Sequence, residues 1–381
     1  MPLKLVINGR MLHQPDVGLG AYTARLLHGL GRHAQDTEVV CLAPAGYDFS
    51  LPPGIQVVYL PRFHVPKLLA DTAFDWLVDW TAQRKYPDHI LFHPAPTAFA
   101  SRPEQTCVVY HDCMSFHFPI YLGRKFARRF IIHRCHAVAR RCRLVLTVSD
   151  FSRQDIILHL AISPDRICTV HNWLPPEYNS DNAKKCADHV RSKYGLPPRF
   201  WLYIGGYDIR KNVEFLLHAY AMAKQKTACP PLVLAGRIPA SGTYACCEVH
   251  KTMNDLHLLA SQESILPGFI ASEDMPGLYG AAELLIYPSL YEGFGLPVME
   301  AMGCGCPAVS ADNTSLSEVI KDKNYRFNVR SPEELVKILI QAASATLSLN
   351  PSFSQDDFSE KKALSLIISH LLKGPHQVVT T

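Results

Sequence analysis

Short apolar runs alternate along this chain with longer amphipathic stretches. The runs KLVIN (4–8), EVVCLA (38–43), HILFH (89–93), CVVYH (107–111), LVLTVS (144–149), ICTV (167–170), WLYIG (201–205), PLVLAG (231–236), SILPGF (264–269), LLIYPS (284–289) and PAVSA (307–311) have the length and composition of buried strands. Most are followed by apolar residues at helical spacing, as in Ala21–Leu30, Glu214–Lys224 and Met275–Ala282. Alternating β and α elements predict parallel sheets covered by helices on both faces. The polar, proline-bounded stretch Pro175–Pro198 breaks the alternation, so the pattern predicts an α/β protein of two doubly wound, Rossmann-like domains. Ligands of such sheets bind at the carboxyl ends of the strands, and a cleft between two domains is the natural site.

Composition narrows the class. The chain has 381 residues, enough for two or three domains with their own cores. Hydrophobic residues at 48% and charged residues at 19% are ordinary for a globular protein. The opening MPLKLVINGR enters an apolar strand at once, and no apolar run approaches the roughly 20 residues that span a bilayer. A cytoplasmic location, peripheral at most to the inner face of the cytoplasmic membrane, is therefore expected. The twelve cysteines include no Cys-x-x-Cys pair, and a cytosolic chain of this size does not need disulfides. His133, Cys135 and His136 stand close together without a second ligand pair, and Asp-x-Asp is absent, so neither a metal nor another cofactor is expected.

The densest chemistry lies in YPSLYEGFGLPVMEAMGCG, residues 287–305. A strand runs into the loop Glu292-Gly293-Phe294-Gly295, and Leu296-Pro297 opens a helix in which Pro297 takes the first position. Such a turn aims backbone N–H groups and the positive helix end at one spot, which suits a phosphate. Glu292 and Glu300, with seven residues between them, place carboxylates where they can accept from sugar hydroxyls. A diphosphate flanked by hydroxyl-bearing rings is a nucleotide-sugar.

This segment, within Leu266 to Val319, resembles the retaining glycosyltransferases of family 4, which carry a Glu–seven residues–Glu pattern in the C-terminal of two Rossmann-like domains facing across a cleft, the GT-B arrangement. The resemblance implies that Glu292 contacts donor-sugar hydroxyls and Glu300 the ribose. It implies an acceptor-side domain over 1–178 joined by a crossing helix at about 355–381, and a nucleotide-sugar domain over 196–350. In WLYIGGYDIRKNVEF, the Arg-Lys-Asn element implies Lys211 as the main diphosphate ligand and Arg210 as its partner, projecting from a glycine turn at Gly206. A further Arg common in that turn is replaced by Gly206 or Tyr207.

Three other segments join the expected site. Gly18 and Gly20, between the first strand and the helix from Ala21, resemble the family's N-terminal loop near donor phosphate and acceptor. In CVVYHDCMSFHFP, His111 ends a strand and is similar to the histidine beside the reacting sugar carbon, with Asp112 and His117 as secondary candidates. Gly268, Phe269 and Ile270 match the loop that cradles the base, and Arg237 follows a strand that ends nearby.

Between Cys113 and Ser149 there is no Asp or Glu, while Arg124, Lys125, Arg128, Arg129, Arg134, Arg140, Arg141 and Arg143 alternate with Phe126, Phe130, Ile131 and Ile132. A basic amphipathic helix over 124–143 can rest on anionic headgroups or meet a lipid pyrophosphate, or it can be a solvated face. Net charge is only +4 and no nucleic-acid module is legible, which argues against a nucleic-acid partner. The expected activity is metal-independent hexosyl transfer from a nucleoside diphosphate sugar to a glycan or lipid-linked glycan in surface polysaccharide or lipopolysaccharide assembly. The INGR, His-Asp and Arg-Lys-Asn segments resemble those of bacterial polysaccharide mannosyltransferases, a resemblance that implies GDP-mannose as donor. A nucleotide-sugar 2-epimerase shares the architecture, though the Gly-Phe-Gly-Leu-Pro element argues against it, and an inactive partner subunit is the remaining alternative.

Overall fold

The computed structural model describes residues 2–15, 18–47, 50–122, 126–258, 264–344 and 353–373. They form two compact units, Met1–Trp173 with Phe358–Thr381, and Leu174–Asp357. Each is a parallel sheet with helices on its faces, the doubly wound α/β class that the alternation predicts.

The first unit holds β1 (Lys4–Asn8), β2 (Glu38–Pro44), β3 (Ile55–Leu60), β4 (Ile90–His93), β5 (Thr106–Val109), β6 (Leu144–Thr147) and β7 (Ile167–Thr169). Their order across the seven-stranded sheet is β3-β2-β1-β4-β5-β6-β7. The chain thus winds one way from β1 and resumes on its other side at β4, which makes the β1/β4 border the switch point. The apolar-run pattern does not reveal β3. It is an edge strand, only Leu60 is fully buried, and prolines and a glycine surround it. Helices α1 (Gly18–His33), α2 (Lys67–Lys85), α3 (Met114–His117), α4 (Phe126–Arg141) and α5 (Asp150–Leu160) belong to this unit. Phe74, Val78 and Ala82 of α2 pack on Val6, Val40 and Leu91. Val138 and Ala139 of α4 join Ile156 and Leu160 of α5 on Val108 and Val145.

The second unit has β8 (Trp201–Ile204), β9 (Leu232–Ala235), β10 (Ser264–Gly268), β11 (Leu284–Tyr287), β12 (Ala308–Ala311) and β13 (Arg326–Phe327) in the order β10-β9-β8-β11-β12-β13. Its helices are α6 (Ser180–Tyr194), α7 (Val213–Lys224), α8 (Val249–Asp255), α9 (Met275–Ala281), α10 (Leu296–Gly303), α11 (Leu316–Val319) and α12 (Pro332–Ala343). Helix α6 occupies the polar stretch that interrupts the sequence pattern. Its charge-rich turns bury only Ala183, Ala187 and Val190, spaced for one narrow stripe. Asn179 caps it by accepting from the Asn182 N–H, and Gly195 ends it in the left-handed region. That stripe lies on α9, where a Cβ on Gly277 would stand 2.5 Å from Val190 Cγ2 and one on Gly280 would stand 2.4 Å from the Ala183 carbonyl oxygen. Any larger residue at either glycine would push the two helices apart.

The last described helix, α13 (Glu360–Lys373), returns to the first unit. Glu360 accepts from Arg32 Nε at 2.9 Å and from His33 Nε2 at 3.0 Å, at the end of α1. Residues 374–381, the remainder of the expected crossing segment, lie outside the described residues, as do 345–350 at the end of the expected second domain. None of the twelve cysteines forms a disulfide.

Candidate active site

In the second unit the expected residues gather at the carboxyl ends of four adjacent strands. Gly205-Gly206 follows β8, Gly236-Arg237 follows β9, Phe269-Ile270 follows β10 and the Glu292 loop follows β11. The switch point falls between β8 and β11. There the Leu290 N–H donates to the Arg210 carbonyl at 2.8 Å, tying the two loops together.

Side-chain chemistry at this border is built on Glu292. Its Oε1 lies 2.7 Å from Lys211 Nζ and 3.0 Å from Arg210 Nη1. Lys211 Nζ also donates to the Tyr287 hydroxyl at 2.6 Å, and Arg210 Nη1 to the Tyr291 carbonyl at 2.8 Å. Burial alone would push the Glu292 carboxyl up, but the Lys211 ammonium and the Arg210 guanidinium outweigh it and hold it down at about 2. For Lys211, burial favours the neutral amine, and the Glu292 and Tyr287 oxygens reverse that, so the ammonium is kept. Both members of the pair therefore stay ionised at neutral pH.

Two expectations are corrected here. Lys211 does not project from its loop; it sits in the short 3-10 turn Ile209–Lys211 and is 9% exposed, its chain laid under the Glu292 carboxylate. Pro297 takes the second helical position, because α10 begins at Leu296. Gly295 caps that helix at φ +102°, and a Cβ there would also meet Leu316 Cδ2 at 2.6 Å, so glycine is required twice over. Phe294 is buried, whereas Gly293 and Leu296 are half-exposed. Glu300, one turn into α10, accepts from the Tyr279 hydroxyl at 3.1 Å. Gly236 approaches so closely that a Cβ would stand 2.1 Å from the Gly205 carbonyl oxygen. Arg237 is exposed and lies 6.0 Å over the ring of Phe269, itself 53% exposed, while Ile270 is buried beneath. Gly268 has φ +79° and its carbonyl accepts from Gly236 N–H at 2.8 Å.

The first unit presents different chemistry. Gly18 and Gly20 are not in a loop: α1 starts at Gly18, three residues before the expected helix. Gly18 has φ +53°, and a Cβ on Gly20 would lie 1.8 Å from the Gln14 carbonyl oxygen. His111 stands two residues beyond β5, which ends at Val109 and not at the histidine. Its Nε2–H donates to the Pro94 carbonyl at 2.8 Å, and the ring meets Tyr22 of α1 edge-on at 4.7 Å. Burial holds the imidazole below the ordinary histidine range, so the ring is neutral with its lone pair on Nδ1. Asp112 instead accepts from the Met114 N–H at 2.9 Å, a local turn bond that leads the chain into α3.

Sequence reasoning missed a buried polar network at the β1/β4 border. Asn8 Nδ2 donates to Asp75 Oδ1 at 2.8 Å and lies 3.0 Å from His93 Nδ1, while Arg10 Nη1 is 3.0 Å from Asp75 Oδ2. The Arg10 N–H donates to Asn8 Oδ1 at 3.0 Å. Burial, assisted by Arg10, depresses His93 to about 3, so it too is neutral. Asn8 and Arg10 belong to the INGR segment; Asp75 is hidden in α2, where a buried carboxylate has no periodic signature. Tyr279 and Tyr287 were missed also, because a tyrosine in an apolar run reads as core.

Comparison with known proteins decides the family. Two family models match, "Glycosyltransferase Family 4" over 17–178 and "Glycosyl transferases group 1" over 187–354. The O-antigen chain mannosyltransferase B of Escherichia coli is 31% identical over 340 residues, covering 84% of this chain and 85% of that protein. The chain belongs to the family 4 glycosyltransferases. This transferase also matches the serotype-specific mannosyltransferase WbdA of Escherichia coli at 28% identity over 243 residues, 63% of this chain but 29% of that longer protein. Among solved structures, Anabaena HepE in complex with UDP and glucose superposes with a TM-score of 0.73 at 19% identity, covering 97% of this chain and all of that one. That likeness confirms the GT-B fold.

Helix α4 exists as expected, with Phe126 82% and Phe130 55% exposed beside exposed Arg128 and Arg129. The eight cations do not act alike, however. Arg134 donates to the Ala98 carbonyl, Arg140 to that of Leu160 and Arg143 to that of Leu371, so these three hold the unit together. Arg124 and Lys125 lie outside the described residues. Among the described residues no helix is long and apolar enough to cross a membrane.

Proposed function

We propose that this glycosyltransferase moves a mannosyl group from GDP-mannose to a hydroxyl of a glycan or lipid-linked glycan in surface polysaccharide assembly, with retention of anomeric configuration. The observation that carries the reading is the Lys211–Glu292–Arg210 cluster at the β8/β11 switch point. A diphosphate set against it shares the two cations with Glu292, and the half-exposed N-terminus of α10 adds backbone dipoles on the same edge. The mannosyl reading is supported by the names of both E. coli relatives.

In this mechanism the C1–oxygen bond to the diphosphate breaks as the acceptor oxygen approaches C1 from the same face. The acceptor proton passes to the departing phosphate oxygen, so no enzymic nucleophile or metal is needed. Lys211 and Arg210 stabilise the charge that grows on that oxygen. Glu292 positions the sugar hydroxyls and Glu300 the ribose, with Tyr279 fixing the Glu300 carboxylate. Neutral His111 borders the developing oxocarbenium ion, where an imidazolium would repel it. Gly18, Gly20, Gly206 and Gly268 let backbone approach the donor, and Arg237, Phe269 and Ile270 flank the base. Exposed Phe126, Arg128, Phe130 and Arg129 provide peripheral contact with the inner face of the cytoplasmic membrane.

The test is incubation with GDP-mannose and a mannose-terminated acceptor, followed by NMR of the product's anomeric carbon. An α-linked mannoside is expected. Conversion of the free nucleotide-sugar to its 2-epimer without acceptor would replace transfer by epimerisation, and a β-linked product would overturn retention.

A further inference from the structure

A second constellation in the first unit takes no part in this chemistry. His117 ends α3, while Asp155 and His159 stand four residues apart on α5, a spacing that stacks their side chains on one helix face. His117 Nε2 lies 2.9 Å from Asp155 Oδ1 and 3.0 Å from Oδ2, and His159 Nε2 lies 3.2 Å from the same Oδ1. All three ligating atoms fall within 4.8 Å of one another.

The two imidazoles turn the same nitrogen toward one carboxylate. With metal–ligand lengths of about 2.1 Å, a tetrahedral zinc site has ligand-to-ligand edges of about 3.4 Å. The edges from His117 and His159 to Asp155 Oδ1, 2.9 and 3.2 Å, are close to that value and the third edge is within 4.8 Å, so one ion can reach all three atoms by side-chain adjustment. The ligand set, two nitrogens and one carboxylate oxygen, is the borderline-soft type that selects zinc or cobalt over magnesium or calcium. The ring planes are also held. Phe116 stacks on His159 with centroids 4.7 Å apart and planes 17° apart, and His117 meets His159 edge-on at 5.1 Å. Asp155 is 7% exposed and anchors the cluster from below, whereas the side chains of His117 and His159 are 36% and 27% exposed, which leaves the solvent side open for ion entry and a fourth, water ligand.

We infer that His117, Asp155 and His159 form a binding site for a zinc-class divalent ion that clasps α3 to α5. Each ring then presents its Nε2 lone pair and carries its proton on Nδ1. The clasp is structural: it fixes the segment that leaves β5 through His111 without touching the reacting atoms. It does not depend on the donor or on the mechanism proposed above.

Cobalt(II) is the probe, because its visible bands report the coordination geometry and its near-ultraviolet bands report thiolate. The full chain, freed of metal by chelator and dialysis, is expected to take up a single equivalent of cobalt with tetrahedral visible bands and no thiolate charge transfer. Zinc at one equivalent should raise Tm by several degrees. His159→Gln and the nearly isosteric Asp155→Asn, each shown folded by circular dichroism, should bind about tenfold or more weakly and lose the Tm shift. No uptake by wild type, a thiolate band placing the ion on cysteine, or wild-type binding by both variants would overturn the site. If one variant fails to fold, the surface substitution His117→Gln gives the same comparison.

Discussion

The carboxyl edges of the two sheets are built from opposite electrostatic materials. At the β8/β11 border Lys211 and Glu292 remain ionised although buried: the Lys211 and Arg210 cations hold the carboxylate charged, and Glu292 holds the ammonium charged against both burial and the repulsion of Arg210. At the β1/β4 border His93 and beyond β5 His111 are driven neutral by burial, and the ion pair of Arg10 with Asp75 is turned inward on Asn8. The same topology thus yields one edge with ionised side chains on its loops and one edge with neutral imidazoles and its ion pair turned inward, the contrast on which the proposed roles at the diphosphate and at the reacting carbon rest. What differs is whether buried polar groups are paired across loops that can meet a ligand or inside the sheet's own end.

If that contrast is correct, the largest effect belongs to Lys211. Lys211→Ala should lower turnover by roughly a hundredfold or more, the scale of removing one preorganised charge-stabilising group. Next is Glu292→Gln, which should abolish most transfer and cost about 3 kcal/mol of stability at neutral pH, because a buried ammonium loses its counter-charge. The Glu292 carboxyl is held at about 2, so its contribution to stability is present above the ordinary carboxyl range and lost as pH falls toward 2. Calorimetry of the two proteins should therefore show the gap in Tm closing as pH is lowered from 7 to about 3.

His111 sharpens the neutral side of the contrast. His111→Ala should cost about tenfold in kcat, or about 1.4 kcal/mol of barrier. Its depressed pKa places the acid limb of the wild-type pH profile below the ordinary histidine range, since protonation would set a cation beside the reacting carbon. A limb within the ordinary range would mean that the ring is charged when it matters. Glu300→Gln should weaken nucleoside diphosphate binding by about tenfold, the worth of a charge-assisted hydrogen bond to ribose. Smallest is the surface: Arg128→Gln with Arg129→Gln should reduce sedimentation with anionic liposomes by about 1 kcal/mol per cation and leave donor affinity unchanged.

The charged edge was far more legible in the sequence than the neutral one. Glu292, Gly293, Gly295 and Glu300 fall within one short motif, and Arg210-Lys211 is a contiguous pair, so local spacing carried the chemistry. The network of Asn8, Arg10, Asp75 and His93 joins β1, β4 and α2 from positions up to 85 residues apart, which no local pattern encodes. Strand β3 and helix α6 escaped for a related reason. Strand β3 buries only Leu60 and α6 only a narrow stripe, so neither carries the strong burial pattern that marks the other elements. The start of α1 was misplaced because glycines normally announce turns, yet here Gly20 is required by the close approach of the Gln14 carbonyl to a helix.

The most direct measurement of the central claim is calorimetric titration of GDP and GMP, with UDP and UMP in parallel for the base, into wild type and Lys211→Ala. Wild type should prefer the diphosphate to the monophosphate strongly for at least one base, and the preference should collapse in the variant while its fold is retained. Equal diphosphate affinity in the two proteins would contradict the assignment of the β8/β11 cluster as the diphosphate site.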